Sequence, residues 1–314
     1  MDALVGLLDG PRAQGAFLLR SILDPPWSLR IQDQAPLTLL ALVRGEAWVV
    51  PESGDPVRLR AGDVAITRGP EPYTVADHPA TPPRAVIHPG QRCSTPTGEH
   101  LTDLTELGIR TWGASSGGTT VLVTGTYQLA SEVSRRLLSA LPALLVVPDD
   151  LSDSPLVPLL AEEIARDEPG QTAVLDRLLD LLLIATLRTW FAGQETRTPA
   201  WYRAHGDPVV GRALRSLHHE PARAWTVASL AADAGVSRAA LARRFTDLVG
   251  EPPMTYLAGW RLDLAADLLR HSDDTIGAIA RRVGYGSAFA LSAAFKRARG
   301  ISPRGYRVGT SHDD

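Results

Sequence analysis

Leu230-Ala231-x-x-Ala234-Gly235-Val236-Ser237 returns further along the chain as Ile279-Ala280-x-x-Val283-Gly284-Tyr285-Gly286-Ser287, with one extra residue in the second turn. Beyond each serine the spacing is the same. Leu241 and Phe245 follow Ser237 at four and eight residues, as Leu291 and Phe295 follow Ser287. A helix-turn-helix gives each place a physical reason. The small Ala lets two helices approach, and the Gly adopts the left-handed conformation at the turn. The Ser caps the second helix, whose Leu and Phe face the core. The opposite face of each second helix is left free for DNA. One such pattern also fits an ordinary helical hairpin; two in register, inside a basic segment, select the DNA-reading alternative.

Between the two copies, Pro253-Met254-Thr255-Tyr256-Leu257 opens a helix expected to run to about Leu269. Its Pro sits near the first turn, where a missing N–H is harmless. At 1.5 Å per residue this connector spans roughly 25 Å. A spacer of that length can set two reading helices in successive major-groove faces, about 34 Å apart on one side of the duplex.

Charge supports this division. The 314 residues carry a formal net charge of −3, which hides an asymmetry. Residues 206–308 hold 15 basic against 9 acidic side chains, a net of +6, while the first 205 hold 17 against 24, a net of −7. The terminal Asp313 and Asp314 supply the remaining −2. A basic unit joined to an acidic one is the layout expected when only one domain meets nucleic acid. The length itself exceeds what one core usually organises. The longest candidate, Leu178 to Leu187, is too short to span a membrane and is followed by Arg188. Asp2 and Asp9 stand where a secretory leader would be basic. The single cysteine, Cys93, excludes an intramolecular disulfide and a thiolate metal cage. The cytoplasm is the expected compartment.

The N-terminal part reads first as strands and then as helices. Thr38 to Val43, Ala47 to Val50, Val57 to Leu59 and Val64 to Ile66 are short β-favouring runs separated by Gly or Pro turns, which suggests a small barrel or sandwich. Thr111 to Tyr127 continues the pattern, with Gly117-Gly118 expected as a hairpin turn. After Ser131 the periodicity becomes helical, in Leu156 to Arg166 and Val174 to Phe191. In the second run Leu175, Leu178, Leu179, Leu182, Leu183 and Leu187 cover a wide apolar arc. That arc fits burial against a second copy of the chain, or packing wholly within the domain. The polar stretch 193–206 is expected to be a linker between a sensing and dimerising domain, 1–192, and a DNA-binding domain, 207–308.

The C-terminal residues resemble the AraC/XylS transcription regulators. The matching segments are Trp225-Thr226-Val227 with Leu230-Ala231, Met254-x-Tyr256-Leu257-x-x-Trp260-Arg261 and Val283-Gly284-Tyr285-x-Ser287. The closing stretch from Ala294-Phe295-Lys296-Arg297 through Gly300-Ile301-Ser302-Pro303 to Tyr306-Arg307 is the most specific of them. More loosely, Val43-x-Gly45-x-Ala47-Trp48, Leu59-x-Ala61-Gly62-Asp63-Val64, Gly125-x-Tyr127 and Leu141-Pro142 resemble the cupin-type sensor domain of one subgroup. The resemblance implies an α+β chain: a cupin-like β-barrel with a helical dimerisation segment, followed by an all-α double helix-turn-helix domain. It implies a regulator with no catalytic residues and no cofactor. Its partners would be promoter DNA, RNA polymerase, an unidentified small-molecule effector and a second copy of the chain.

Carried over by position, the resemblance puts DNA-reading places on Arg238, Ala239, Ala242 and Arg243 in the first recognition helix. In the second they fall on Ala288, Phe289, Ala290, Ser292 and Ala293, beside the capping Ser287. The second helix departs from well-known members, which often carry Gln, Thr or Arg there. Arginine grips guanine through two hydrogen bonds, whereas Ala and Phe offer only apolar contact, for instance to thymine methyls. Lys296 and Arg297 are expected at phosphates. Arg281, Arg282, Arg299 and Arg304 either join them there or form a solvated face.

In the sensor domain, Trp48, Tyr73 and Trp112 are candidates to line an effector pocket, with ordinary core packing as the alternative. Metal-binding cupins need several imidazoles at close range. The strand Leu39 to Val43 has none, and Tyr73 stands near the place of the later one, so a metal-free domain is expected. His78, His88 and His100, on Pro-rich loops, read as surface residues. Cys93 beside Arg92 fits either a plain thiol or a redox switch with a lowered pKa. An oxygenase or isomerase carrying a DNA-binding appendage would need the missing histidines. An architectural DNA binder without an effector shares every C-terminal feature.

Overall fold

The computed structural model describes residues 17–99, 101, 104–127, 138, 141–152, 155–193 and 200–310. These fall into two compact units, within 17–193 and 200–310.

The N-terminal unit is built on two sheets. In one the spatial order is β10 (Thr105–Gly108), β11 (Thr111–Gly113), β1 (Phe17–Leu23), β12 (Thr120–Tyr127), β3 (Leu37–Arg44), β6 (Val64–Arg68) and β13 (Leu144–Val147). In the other it is β5 (Val57–Arg60), β4 (Glu46–Pro51), β7 (Tyr73–Ala76), β2 (Ser28–Ile31), β8 (Ala85–His88) and β9 (Arg92–Ser94). Alternation decides what each strand buries. Ala47 and Val49 of β4, Leu59 of β5 and Val75 of β7 meet Leu40, Leu42 and Leu122 of the larger sheet in one apolar cluster. No strand of one sheet pairs with a strand of the other among the described residues, so the expected barrel is an open, two-sheet one.

Strand β3 is buried at every position from Leu37 to Leu42, apolar throughout except at Thr38, as in a strand covered on both faces. The cover comes from α2 (Leu156–Glu163), which packs on β3, and α3 (Gln171–Gly193), which packs on β13. A short helix, α1 (Asp149–Ser152), precedes them. The Tyr127 hydroxyl of β12 donates to the Leu179 carbonyl of α3 at 3.0 Å, pinning helix to sheet.

Two expectations for this unit are corrected. Gly117-Gly118 does not turn a hairpin: β11 and β12 each pair with β1, which lies between them, parallel to one and antiparallel to the other. The N-terminal strand supplies the missing neighbour, and no local signal could announce it. The helical regime read after Ser131 also contains a strand, β13, whose Leu144-Leu145-Val146-Val147 pairs antiparallel with β6. Residues 131–137 lie outside the described set.

The C-terminal unit is helical throughout its described regular elements: α4 (Ala200–His205), α5 (Val210–His219), α6 (Val227–Asp233), α7 (Arg238–Val249), α8 (Pro253–His271), α9 (Ile276–Arg282), α10 (Ala288–Arg299) and α11 (Pro303–Thr310). The first helix lies inside the stretch read as linker. Its Ala204 is fully buried with Val210, Leu214 and Phe245, because a small residue there lets α4 close against its neighbours. Helix α8 is shared by two separate clusters. Tyr256 and Leu257 belong to the first, with Leu230, Leu241 and Phe245. Leu262, Ala265, Ala266 and Leu269 belong to the second, with Ile279, Leu291 and Phe295.

Each helix-turn-helix closes as the repeat requires. The Ser237 hydroxyl accepts the Ala240 N–H at 3.2 Å, and the Ser287 hydroxyl accepts that of Ala290 at 3.1 Å. The turns run through Gly235 and Gly284, at φ of +70° and +87°. Their surroundings differ. A Cβ on Gly235 would meet nothing within 4 Å, whereas one on Gly284 would lie 2.8 Å from the Ala222 backbone. Gly235→Ala should therefore cost about 1–2 kcal/mol from the left-handed backbone alone. Gly284→Ala should cost more, because the second helix-turn-helix must also shift from the Ala222 backbone. Urea denaturation of the two variants checks the order, and equal losses would contradict it.

Candidate nucleic-acid interface and sensor cavity

Helix α7 buries Leu241 and Phe245. Its other face exposes Arg238, Ala239 and Arg243, with Ala242 half-buried beside them. Helix α10 buries Leu291 and Phe295. Ser287, Ala288, Phe289, Ala290, Ala293, Lys296 and Arg297 are exposed around it, and Ser292 is half-buried. Phe289 stands 83% exposed, which an isolated apolar side chain gains nothing by doing.

The arginines divide into employed and free. Arg244 pairs with Asp207 at 2.6 Å, Arg282 with Asp274 at 2.6 Å and Arg299 with Asp263 at 2.6 Å. Arg212 pairs with Asp233, and Arg223 with Glu220 while it lies over the Trp225 ring. Of the arginines expected at phosphates or on a solvated face, Arg282 pairs with its carboxylate at an exposed site, whereas Arg299 is largely buried in pairing with Asp263. Arg238, Arg243, Arg281, Lys296, Arg297 and Arg304 are exposed and make no ion pair among the described residues. These six lie on α7, α9, α10 and α11.

In the N-terminal unit, a cavity of about 60 Å³ lies between the sheets. Tyr73 and Trp112 line it, as expected, but Trp48 does not. Trp48 sits between the inward Ala47 and Val49, so the pleat turns it to the outer face of the smaller sheet. The Trp112 indole N–H donates to the Ser21 hydroxyl at 2.6 Å. Burial pushes the Tyr73 phenol up to about 12, which keeps it a neutral O–H group. Cys93 lines the cavity as well. Partial desolvation raises its thiol pKa, the direction opposite to that of a lowered-pKa switch. His88 is engaged by Gln32 and Ser94, and the His78 ring accepts the Ala80 N–H. No group of three His, Cys, Asp or Glu suited to a metal occurs among the described residues; His100 lies outside them.

Residues 2–192 match the cupin family, and residues 230–308 match a helix-turn-helix domain family. An AraC-like transcription regulator of Streptomyces lividans is 33% identical to the chain over 98% of each. The chain belongs to the AraC-like transcription regulators. The HTH-type transcriptional regulator AlkR of Acinetobacter baylyi is 29% identical over 98% of this chain and 99% of its own. The crystallised DNA-binding domain of AdpA, a global transcriptional factor in complex with a target DNA, is 34% identical over 34% of this chain and 96% of that one, with a TM-score of 0.33. This regulator binds DNA through its helix-turn-helix domain, carries a cupin-like N-terminal domain, and is not an enzyme. No helix among its described residues is long and apolar enough to cross a membrane.

Two residues that hold the regulator's interface in place escaped the sequence reading. Arg261, at the middle of α8, donates to the Pro221 and Arg223 carbonyls, both at 2.7 Å, and so ties the α5–α6 loop to the connector. Its only sequence signal was its place in the Trp260-Arg261 motif. Asp207 caps the start of α5, accepting the N–H groups of Val209 and Val210 at 3.0 and 2.9 Å, and grips Arg244 of α7. Burial alone would raise its carboxyl pKa. The Val210 N–H, the Arg244 guanidinium and the Val209 N–H outweigh that and hold it below the usual value. A depressed carboxylate stabilises the fold above its unfolded pKa and loses that contribution as pH falls through the folded one. Asp207→Ala should therefore cost the regulator about 1 kcal/mol at neutral pH. The gap to wild type should begin to narrow only as pH falls to about 4, where an unperturbed carboxyl protonates, and should close at lower pH, below the depressed value in the folded protein. Urea titrations across pH measure it, and a gap that persists in acid would rule out the carboxylate as the cause.

Proposed function

We propose that the regulator reads its operator chiefly through α7, with Arg238 and Arg243 at base edges and Ala239 and Ala242 packed close to the groove. Helix α10 enters a second groove through Ser287, Ala288, Phe289, Ala290 and Ser292, largely by apolar contact, while Lys296 and Arg297 hold phosphates. The observation that carries this reading is the pair of exposed, unpaired arginines on α7 set against the apolar tip of α10. Residues 207–308, together with α4, form the DNA-reading part. Residues 1–192 form the sensing and dimerising part, in which a small-molecule effector occupies the inter-sheet cavity and alters operator affinity. RNA polymerase is the further partner, as for other regulators of this type.

A bidentate arginine contact contributes roughly 1–3 kcal/mol of discrimination. Arg243→Ala should lose about that much and relax preference at one or two base pairs in a randomised-site selection. Phe289→Ala should change the selected sequence less, and the reverse order would move the main reader to α10. Lys296→Ala should weaken all sequences alike and flatten the salt dependence.

The second copy of the chain is assigned to α3. Leu175, Leu179, Leu182, Leu183 and Leu187 are spent on the domain's own core. Val174, at 45% exposed, and Leu181, at 50%, remain uncovered, with the half-buried Leu178 and Ala185 between and beyond them at helical spacing. Leu181→Glu should convert a dimer to monomer in sedimentation without unfolding either unit. A wild-type protein that sediments as a monomer at micromolar concentration would end this assignment.

A further inference from the structure

The inter-sheet cavity has a chemical character that narrows its occupant. Among the described residues its lining is mainly apolar side chains and uncharged polar groups, with no lysine, arginine or histidine. Asp33 is the one charged residue of the described lining, and that carboxylate is already engaged. One oxygen accepts the Ala35 N–H at 3.1 Å, and the other accepts from the Gln91 amide at 3.3 Å. Phe17 and Cys93, the exposed members of the lining, mark the mouth. An anionic ligand would enter with nothing to neutralise it, and stripping a carboxylate of water without a partner is strongly unfavourable.

The hydroxyls are placed by the strand register. Thr38 of β3 pairs with Thr67 of β6 on one side and Thr126 of β12 on the other, a row of three threonines across the larger sheet. All three are buried. Tyr73 comes from the opposite sheet, where it pairs with Ile31, and is only 8% exposed. Its hydroxyl makes no hydrogen bond among the described residues, although the Thr67 and Thr38 hydroxyls lie near enough to act on it. A buried phenol with an unused donor calls for an explanation, and a ligand atom supplies one. A water takes roughly 10–15 Å³ of such space, so a cavity of about 60 Å³ accommodates about five non-hydrogen atoms.

We propose that this cavity takes a small uncharged molecule with an apolar body and one hydrogen-bond-accepting oxygen, of the class of short ketones, and that the Tyr73 hydroxyl donates to that oxygen. The proposal rests on the reading of the cavity as the effector site and names the chemistry of what enters it.

Three probes with one five-atom skeleton separate the possibilities: butan-2-one, its alkene counterpart 2-methylbut-1-ene, and propanoate. Each is titrated into the full-length protein, with binding followed by ligand-observed NMR. Butan-2-one is expected to bind, the alkene more weakly, and propanoate not at all. Tyr73→Phe, checked for an unchanged melting temperature, should weaken the ketone roughly fivefold, the value of one hydrogen bond, and leave the alkene unchanged. Propanoate binding as well as the ketone, an unaltered ketone affinity in Tyr73→Phe, or no binding of any probe to the wild type would overturn the proposal. The wild-type comparison alone decides the matter if the variant fails to fold. The underlying effector reading has its own readout. If the ketone binds as expected while neither it nor the cavity-filling Thr124→Phe changes operator affinity, the ligand class stands and the effector reading falls.

Discussion

Helix α8 has one half in each of two apolar clusters, and the C-terminal unit depends on that double membership. Sliding or rotating the helix to suit one cluster would expose Tyr256 and Leu257, or Leu262 and Leu269, at about 25 cal/mol for each Å² of apolar surface. The helix is 19 residues long, roughly 28 Å, and it sets the separation of α7 and α10 as a beam would. Arg261 and Gly284 add stops on the same joint. One anchors the α5–α6 loop by two hydrogen bonds, and the other brings the second turn against the Ala222 backbone. The spacing of two reading helices is thus a packing property, fixed before any DNA arrives.

On that frame the charge distribution becomes interpretable. Arginine is abundant throughout the unit, yet acidic neighbours or backbone carbonyls absorb much of it, as at Arg244, Arg261, Arg282 and Arg299. Among the basic side chains without an ion pair in the described residues, Arg238 and Arg243 lie on α7 and Lys296 and Arg297 near the end of α10. Internal ion pairs of this kind add little stability where exposed. Their effect here is selective: they leave a surplus of positive charge in one place, where a polyanion meets it at lowest cost.

The N-terminal unit solves a different problem. Covering the larger sheet with α2 and α3 lets β3 be apolar on both faces, so the space between the sheets need not supply all of the burial. A few hydroxyls are tolerated inside, and Tyr73 crosses from one sheet toward the threonines of the other. The cavity is the gap that this unequal packing leaves.

The double helix-turn-helix was legible from the repeat alone, because a cap, a turn glycine and two apolar positions are local demands that recur at fixed spacing. The strand runs from Thr38 to Ile66 and the leucine face of α3 were legible for the same reason, as period two and period 3.6. The hairpin expected at Gly117-Gly118 failed because pairing is chosen among distant strands, and β1 outcompeted the nearer partner. Trp48 failed as a pocket residue because one step of register turns a side chain to the opposite face. The polar linker hid α4, whose Ala204 is buried against residues beyond it. By itself, then, the sequence determined what repeats locally: the two DNA-binding motifs, the basic domain that carries them, and the families they belong to. Tertiary structure alone decided which arginines stay free, which aromatic residues share a cavity, and how far apart the reading helices stand, because each depends on contacts between segments that no local pattern encodes.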